Sequence, residues 1–162
     1  MKLPSFLSPL LYVQISPERL TVRNVKTGET ISEPPQMAIE HAPKPRVLAV
    51  GSQAATATGT SVEVVNPFAH PRSLVSDFTV GEQLLKAFLG RMGSRSPFRA
   101  APRIVFHPLG HPEGGFTQVE IRAFHEMALG AGASDVVVWE GRTLTDQELL
   151  SGEFPSGGKV LS

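Results

Sequence analysis

The segment DVVVWE at 135–140 constrains the fold more than any other part of the chain. Val136, Val137, Val138 and Trp139 are consecutive apolar residues, so a strand here is apolar on both faces and needs cover on both. A central parallel strand meets that need. The preceding residues supply a helix. In FTQVEIRAFHEMALGAGAS (116–134), Val119, Ala123, Phe124 and Met127 recur at helical spacing. Thr117 is placed as the N-cap with Glu120 three positions on, a capping-box spacing, and Gly130 and Gly132 stop the run. Helix, glycine stop and doubly apolar strand predict an α/β fold.

The rest of the chain extends that pattern. LLYVQIS (10–16) and RLTVRNV (19–25) read as two strands separated by Pro17-Glu18, with Tyr12, Gln14 and Ser16 on one face and Val13 and Ile15 on the other. KTG at 26–28 is a turn, and ETISEPPQMAIEH carries a third extended run broken at Pro34-Pro35. Two short strands, RVLAVG and SVEVVNPF, flank a stretch of Ala, Thr and Gly, and residues 42–75 read as a small inserted subdomain. From Thr79 the period changes: Val80, Leu84, Leu85, Phe88, Leu89 and Met92 mark a helix capped by Asp77 or Thr79. GSRSPFRAAP is a loop, RIVFHPL (103–109) a buried strand, and TLTDQELLSGEF a short helix whose capping box runs from Thr145 to Glu148. The expected order is three strands, insertion, helix, strand, helix, strand, helix. It makes a five-stranded mixed sheet in one domain over 10–150, with tails at 1–9 and 151–162.

Composition excludes several function classes. Fifteen basic and fifteen acidic residues leave no net charge, and the cations are scattered, so no nucleic-acid partner is expected. The absence of cysteine removes disulfides, thiol catalysis and zinc–thiolate sites, with the cytoplasm as the default compartment. No apolar run approaches the roughly 18 residues of a membrane span. MKLPSFLSPLLYV has a lysine followed by leucines, but Pro4 and Pro9 interrupt it, and it reads as an ordered tail leading into a strand. Membrane contact is not expected.

Several segments resemble the N-terminal half of the MreB family, the bacterial actin-like rod-shape proteins. The carrying stretches are SDFTVGEQLLKAFLGRM (76–92) and PRIVFHPLGH…GFTQVEIRAFHEMALGAGASDVVVWE (102–140), with ISEPPQMAIEH and VLAVGSQA in support. The resemblance covers most of residues 10–140. It implies the ribonuclease-H-like fold of actin-type ATPases, domain I alone, with the insertion matching that family's small outer subdomain.

The resemblance also implies where the family's chemistry would lie. The first phosphate loop of the family is a hairpin reading Asp-x-Gly-Thr, whose aspartate holds hydrated magnesium and whose glycine admits phosphate to backbone amides. Here the hairpin reads VQISPERLTV. Gln14 or Val13 stands at the aspartate, Ile15 follows, and Ser16 and Pro17 fall where the glycine and threonine belong. Pro17 has no N–H to give a phosphate, and no carboxylate is placed for the metal. The cofactor-binding loop Gln14, Ile15, Ser16, Pro17 is therefore expected to be degenerate, with no cofactor and no metal. Glu120 falls where the family carries the glutamate that positions the attacking water, yet its capping-box spacing assigns it to the helix terminus. The second phosphate loop and adenosine pocket belong to a domain II beyond this sequence. The closing PSGGKVLS lacks Walker spacing and reads as a flexible tail.

Other candidates carry less. His107 and His111 are four apart, but Pro108, Gly110 and Pro112 forbid a helix, which makes them loop histidines. His125, beside Glu126, reads as part of a solvated helix face, and Trp139 as core or subdomain-boundary packing. There is no Gly-x-Ser-x-Gly elbow. The first strand has no acidic residue with which a ribonuclease-H nuclease would hold its metals. The expectation is a non-catalytic actin-like domain acting through protein–protein contact. Its partner would be an MreB-type filament or a second copy of itself as a homodimer, in cell-shape or filament regulation. The alternative is half of a split ATPase, or a remnant of one, that binds ATP and magnesium.

Overall fold

In the computed structural model, residues 8–70, 72–92, 100–110 and 112–162 are described. The tail at 1–7, most of the loop after Met92 (93–99) and His111 lie outside them.

Among the described residues, nine strands form two sheets, accompanied by three α-helices. The large sheet has the order β3-β2-β1-β7-β8-β9 and the small one β5-β4-β6. Strands β1 (Leu10–Ile15), β2 (Leu20–Asn24) and β3 (Thr30–Glu33) form the antiparallel meander. Strand β7 (Arg103–Pro108) pairs parallel with β1, and β8 (Asp135–Glu140) pairs parallel with β7. Helix α1 (Phe78–Gly90) precedes β7, α2 (Gln118–Gly130) joins β7 to β8, and α3 (Asp146–Ser151) follows β8.

The pleat of β1 sorts the core. Leu11, Val13 and Ile15 point with Ile104, Phe106, Val136 and Val138 towards α1 and α2, meeting Leu84, Phe88, Phe124 and Met127. Leu10 and Tyr12 point the other way, joining Val105, Trp139, Leu144 and Leu149 beneath α3. The doubly apolar β8 is thus covered on both faces, as its sequence demands. Of the two candidate caps for α1, Asp77 takes the role, its Oδ1 accepting from Val80 N at 3.1 Å.

Three features differ from the sequence expectation. First, the run ETISEPPQMAIEH, broken at Pro34-Pro35 as expected, supplies strands to two different sheets. Pro34 and Pro35 carry no N–H for a ladder, and the chain changes sheets there. Thr30–Glu33 stays in the large sheet and β4 (Met37–Glu40) becomes the centre of the small one, between β5 (Arg46–Val50) and β6 (Val62–Val65). The small sheet therefore begins upstream of residue 42. Second, the Ala/Thr/Gly stretch opens with a 3-10 turn at Gly51–Thr56 whose Ala54 is buried.

Third, the closing segment is not a flexible tail. β9 (Lys159–Val160) pairs antiparallel with β8 and gives the large sheet a sixth strand. Leu161 N donates to Val138 O at 2.7 Å, and Val138 N to Ser162 O at 3.0 Å. Gly158 is required for a close approach, because a Cβ there would lie 2.5 Å from the Glu140 carbonyl oxygen and 2.6 Å from the Trp139 ring. The same closing segment corrects the reading of His125, which is half-buried with its Nδ1 2.8 Å from the Ser162 hydroxyl.

Candidate functional site

In open α/β sheets, ligands gather at the carboxyl ends of the parallel strands. Here that edge brings together the β1–β2 hairpin, the loop after β7, the start of α2 and the loop after β8. Ile15 O accepts from Leu109 N at 2.8 Å, which joins the ends of β1 and β7.

The hairpin is closed on itself. Ser16 N donates to Arg19 O at 3.0 Å, and Arg19 N donates to Ser16 O at 3.3 Å and to Ser16 Oγ at 3.2 Å. Pro17 has no N–H, and its carbonyl accepts from Asn66 Nδ2 at 2.7 Å. Val13 and Ile15 are 0% exposed in the main core. Gln14 is on the opposite face, half-buried, its Nε2 donating to Thr143 Oγ1 at 3.2 Å. A phosphate cradle needs outward amides, and a magnesium site needs a carboxylate or its equivalent. This turn spends two amides internally, lacks a third at Pro17, and presents a neutral amide side chain.

Glu120 sits in the first turn of α2 and closes a capping box with Thr117. Its Oε1 accepts from Thr117 N and from Thr117 Oγ1, each at 3.1 Å, while Glu120 N donates to Thr117 Oγ1 at 3.1 Å. Ser73 Oγ reaches Oε2 at 3.5 Å. Both carboxylate oxygens thus face donors of the chain itself. Thr117→Ala removes the cap and lowers stability by about 1 kcal/mol, read as a shift of the urea midpoint at constant slope. An unmoved midpoint would deny Glu120 and Thr117 this structural work.

A buried polar network beside the hairpin escaped sequence reasoning. His107 is not a loop residue: it lies in β7, 2% exposed. The carbonyl of Gly141 can only accept, so His107 Nε2 donates to it at 3.0 Å. Nδ1 is then the acceptor for the Tyr12 hydroxyl at 2.6 Å, and Leu144 N donates to Tyr12 Oη at 3.1 Å. Burial lowers the His107 pKa from its ordinary value and raises that of Tyr12, holding the imidazole neutral and the phenol as a donor. The network ties the 141–144 loop to β1 and β7. A signal was present in the pleat: His107 alternates with Phe106 and shares the face of Val105, which places it inside.

Ion pairs complete this face. Arg142 grips Glu148 through two contacts at 2.9 and 2.7 Å, and the guanidinium holds that carboxyl down at about 2. Arg23 pairs with Asp146 at 2.7 Å. Among the described residues there is no cluster of three or more His, Asp or Glu side chains able to hold a metal. No helix among them is long and apolar enough to cross a membrane.

The family model described as MreB/Mbl protein matches residues 18–145. Over 120 residues the chain is 35% identical to the cell shape-determining protein MreB of Escherichia coli K12, an alignment covering 70% of this chain and 33% of that one. The MreB of Haemophilus influenzae is 31% identical over 121 residues, covering 71% and 33%. The chain therefore spans about a third of the length of these curated relatives. Among solved structures, MreB5 of Spiroplasma citri bound to ADP superposes with a TM-score of 0.65 at 20% identity, covering 82% of this chain and 38% of that one. A non-polymerising MamK mutant bound to AMPPNP gives 0.65 at 15% identity, covering 82% and 41%. These two likenesses speak for the fold, which is that of an actin-like domain. With a family match running from the first hairpin through the cap of α3, and relatives above 30% identity over 70% of its length, this chain belongs to the MreB/Mbl family.

Proposed function

We propose that this chain is a non-catalytic actin-like domain that works by protein–protein contact in the cytoplasm, engaging an MreB-type filament and so bearing on cell shape. The observation that carries this reading is the self-closed hairpin. Ser16 and Arg19 satisfy each other, Pro17 offers no donor, and Gln14 is turned to Thr143. Glu120 supports it as well, since a carboxylate holding a helix cap is poorly placed to orient a water. Membership of a family whose relatives are named as cell shape-determining proteins supports the choice of partner.

The test has two arms. Calorimetry with ATP and magnesium is expected to give no saturable heat at millimolar nucleotide, whereas magnesium-dependent saturation would return the chain to the split or remnant ATPase. Co-sedimentation with a purified MreB filament is expected to bring the chain into the pellet or to change polymer mass. Neither effect, at micromolar concentrations of both proteins, would overturn the filament as partner.

A further inference from the structure

The two sheets meet along a seam crossed twice by the chain, at Pro34–Gln36 and again after β6. An apolar base spans it: Met37 and Phe68 are buried in the main core, and Ile39 and Val50 pack against it. Apolar packing holds two bodies together but is non-directional. The angle between them is set by something with geometry, and each crossing carries one such group.

At the first crossing the group is Glu33. Its Oε1 accepts from Ser52 N at 2.9 Å, the second residue of the 3-10 turn, and its Oε2 accepts from the Arg91 guanidinium just past the end of α1. One carboxylate thus touches the small sheet's turn and the large sheet's helix at once, in a groove of about 450 Å³ lined by Val50, Ser52, Gln53 and Arg91. The backbone is shaped for this contact: Gly51 has φ +69°, and a Cβ there would lie 2.2 Å from Glu33 Oε1. Gly51 N also donates back across the crossing to Gln36 O at 2.8 Å.

At the second crossing the group is Asn66, the residue after β6. Its Nδ2 donates to Pro17 O at 2.7 Å, in the first hairpin, and its Oδ1 accepts from Phe68 N at 2.9 Å. Asn66 therefore fastens the return of the small sheet to the β1–β2 turn. The hairpin is held by a side chain of the protein from that direction, with no ligand needed to bridge it.

We infer that Glu33–Ser52, with the carboxylate held in place by Arg91, and Asn66–Pro17 are two latches that fix the small sheet at one angle to the large sheet. The consequence is a preset surface. A partner meeting the small sheet does not have to order it, and ordering is a cost that weakens association. The inference is independent of whether nucleotide binds elsewhere.

Hydrogen exchange tests it on the full chain, with Asn66→Ala, Glu33→Ala and the double variant. Losing one net hydrogen bond corresponds to roughly a two- to tenfold change in an opening equilibrium. Each single variant is expected to raise exchange of the β4 and β6 amides by that factor, and the double variant by more, with β1, β7 and β8 unchanged. An equal rise across β7 and β8 would mean general destabilisation and would overturn the latches, as would unchanged exchange in β4 and β6. The lack of cysteine permits a second reading. Spin labels on Thr60→Cys and Arg122→Cys are expected to give one narrow distance distribution in the parent and a broadened one in the double variant. A broad distribution in the parent would sink the proposal outright.

Discussion

Replacing Trp139 with alanine removes about 3–5 kcal/mol of stability, towards the upper end of what a single core truncation costs. The indole is 1% exposed and is the largest fully buried side chain among the described residues. It packs with Leu10, Tyr12, Val105, Leu144 and Leu149, meets Phe154 edge-on at 5.3 Å, and donates from Nε1 to Arg142 O at 3.0 Å. Its position also limits repair. Gly141 and Gly158 flank the ring so closely that a Cβ on either would lie 2.6 Å from it, which leaves bare backbone on those two sides. Backbone cannot swing a side chain into the void, so the cavity stays open, and an unfilled cavity adds to the lost transfer energy. The Arg142 carbonyl loses its donor as well. Urea unfolding reads the effect, with Val119→Ala as control: Val119 is 79% exposed, and its truncation should move stability by less than about 0.5 kcal/mol. A loss below about 1 kcal/mol at Trp139 would mean that the second core is not a folding core.

Local signals made much of this fold legible. Capping boxes depend on residues three apart, so Thr117 with Glu120 and Thr145 with Glu148 could be placed from sequence, and both form. The two-faced apolarity of β8 is likewise a local pattern with a global consequence. The failures share a different character. β9 exists because of a partner strand some twenty residues upstream, and Gly158 just before it serves a close approach to Trp139. His107 was misjudged through its neighbours: Pro108 and Gly110 end the strand immediately after it without removing it from the strand. At the hairpin, sequence left Val13 and Gln14 as equal candidates for one position. Pleat parity separates them, sending Val13 into the core with Leu11 and Ile15 and Gln14 to the face of Tyr12. The seam between the sheets was invisible, because the reach of Asn66 to Pro17 spans 49 positions and follows no spacing rule.

Acid weakens this protein through His107 as the pH falls below 6.5, and the His107→Gln variant does not share that part of the loss. The sign follows from the two states. Burial lowers the folded pKa below the ordinary 6.5, so between the two values the unfolded chain binds a proton that the folded one refuses. Stability therefore rises with pH across that interval, is complete above 6.5, and is lost as the pH falls, by at most about 1.4 kcal/mol per pH unit for one proton. Protonation would place a second N–H at Nδ1, where the Tyr12 hydroxyl donates at 2.6 Å, so that hydroxyl would have to turn its proton away from His107 while still accepting from Leu144 N. The carboxylates with lowered pKa (Glu33, Asp146 and Glu148) begin to lose their contributions about one pH unit above their ordinary values of 4.5, 3.8 and 4.5, a loss common to parent and variant, so the difference between the two curves across the window below 6.5 isolates His107. Unfolding free energies measured by urea at half-unit steps from pH 4.5 to 7.5 decide the matter. Parallel curves for parent and variant across the window would mean that His107 titrates alike in both states, and the buried relay would then have no energetic content. A variant curve that falls less than the parent's would make His107 the group through which pH acts on the 141–144 loop, and so on the edge of the sheet where the first hairpin lies.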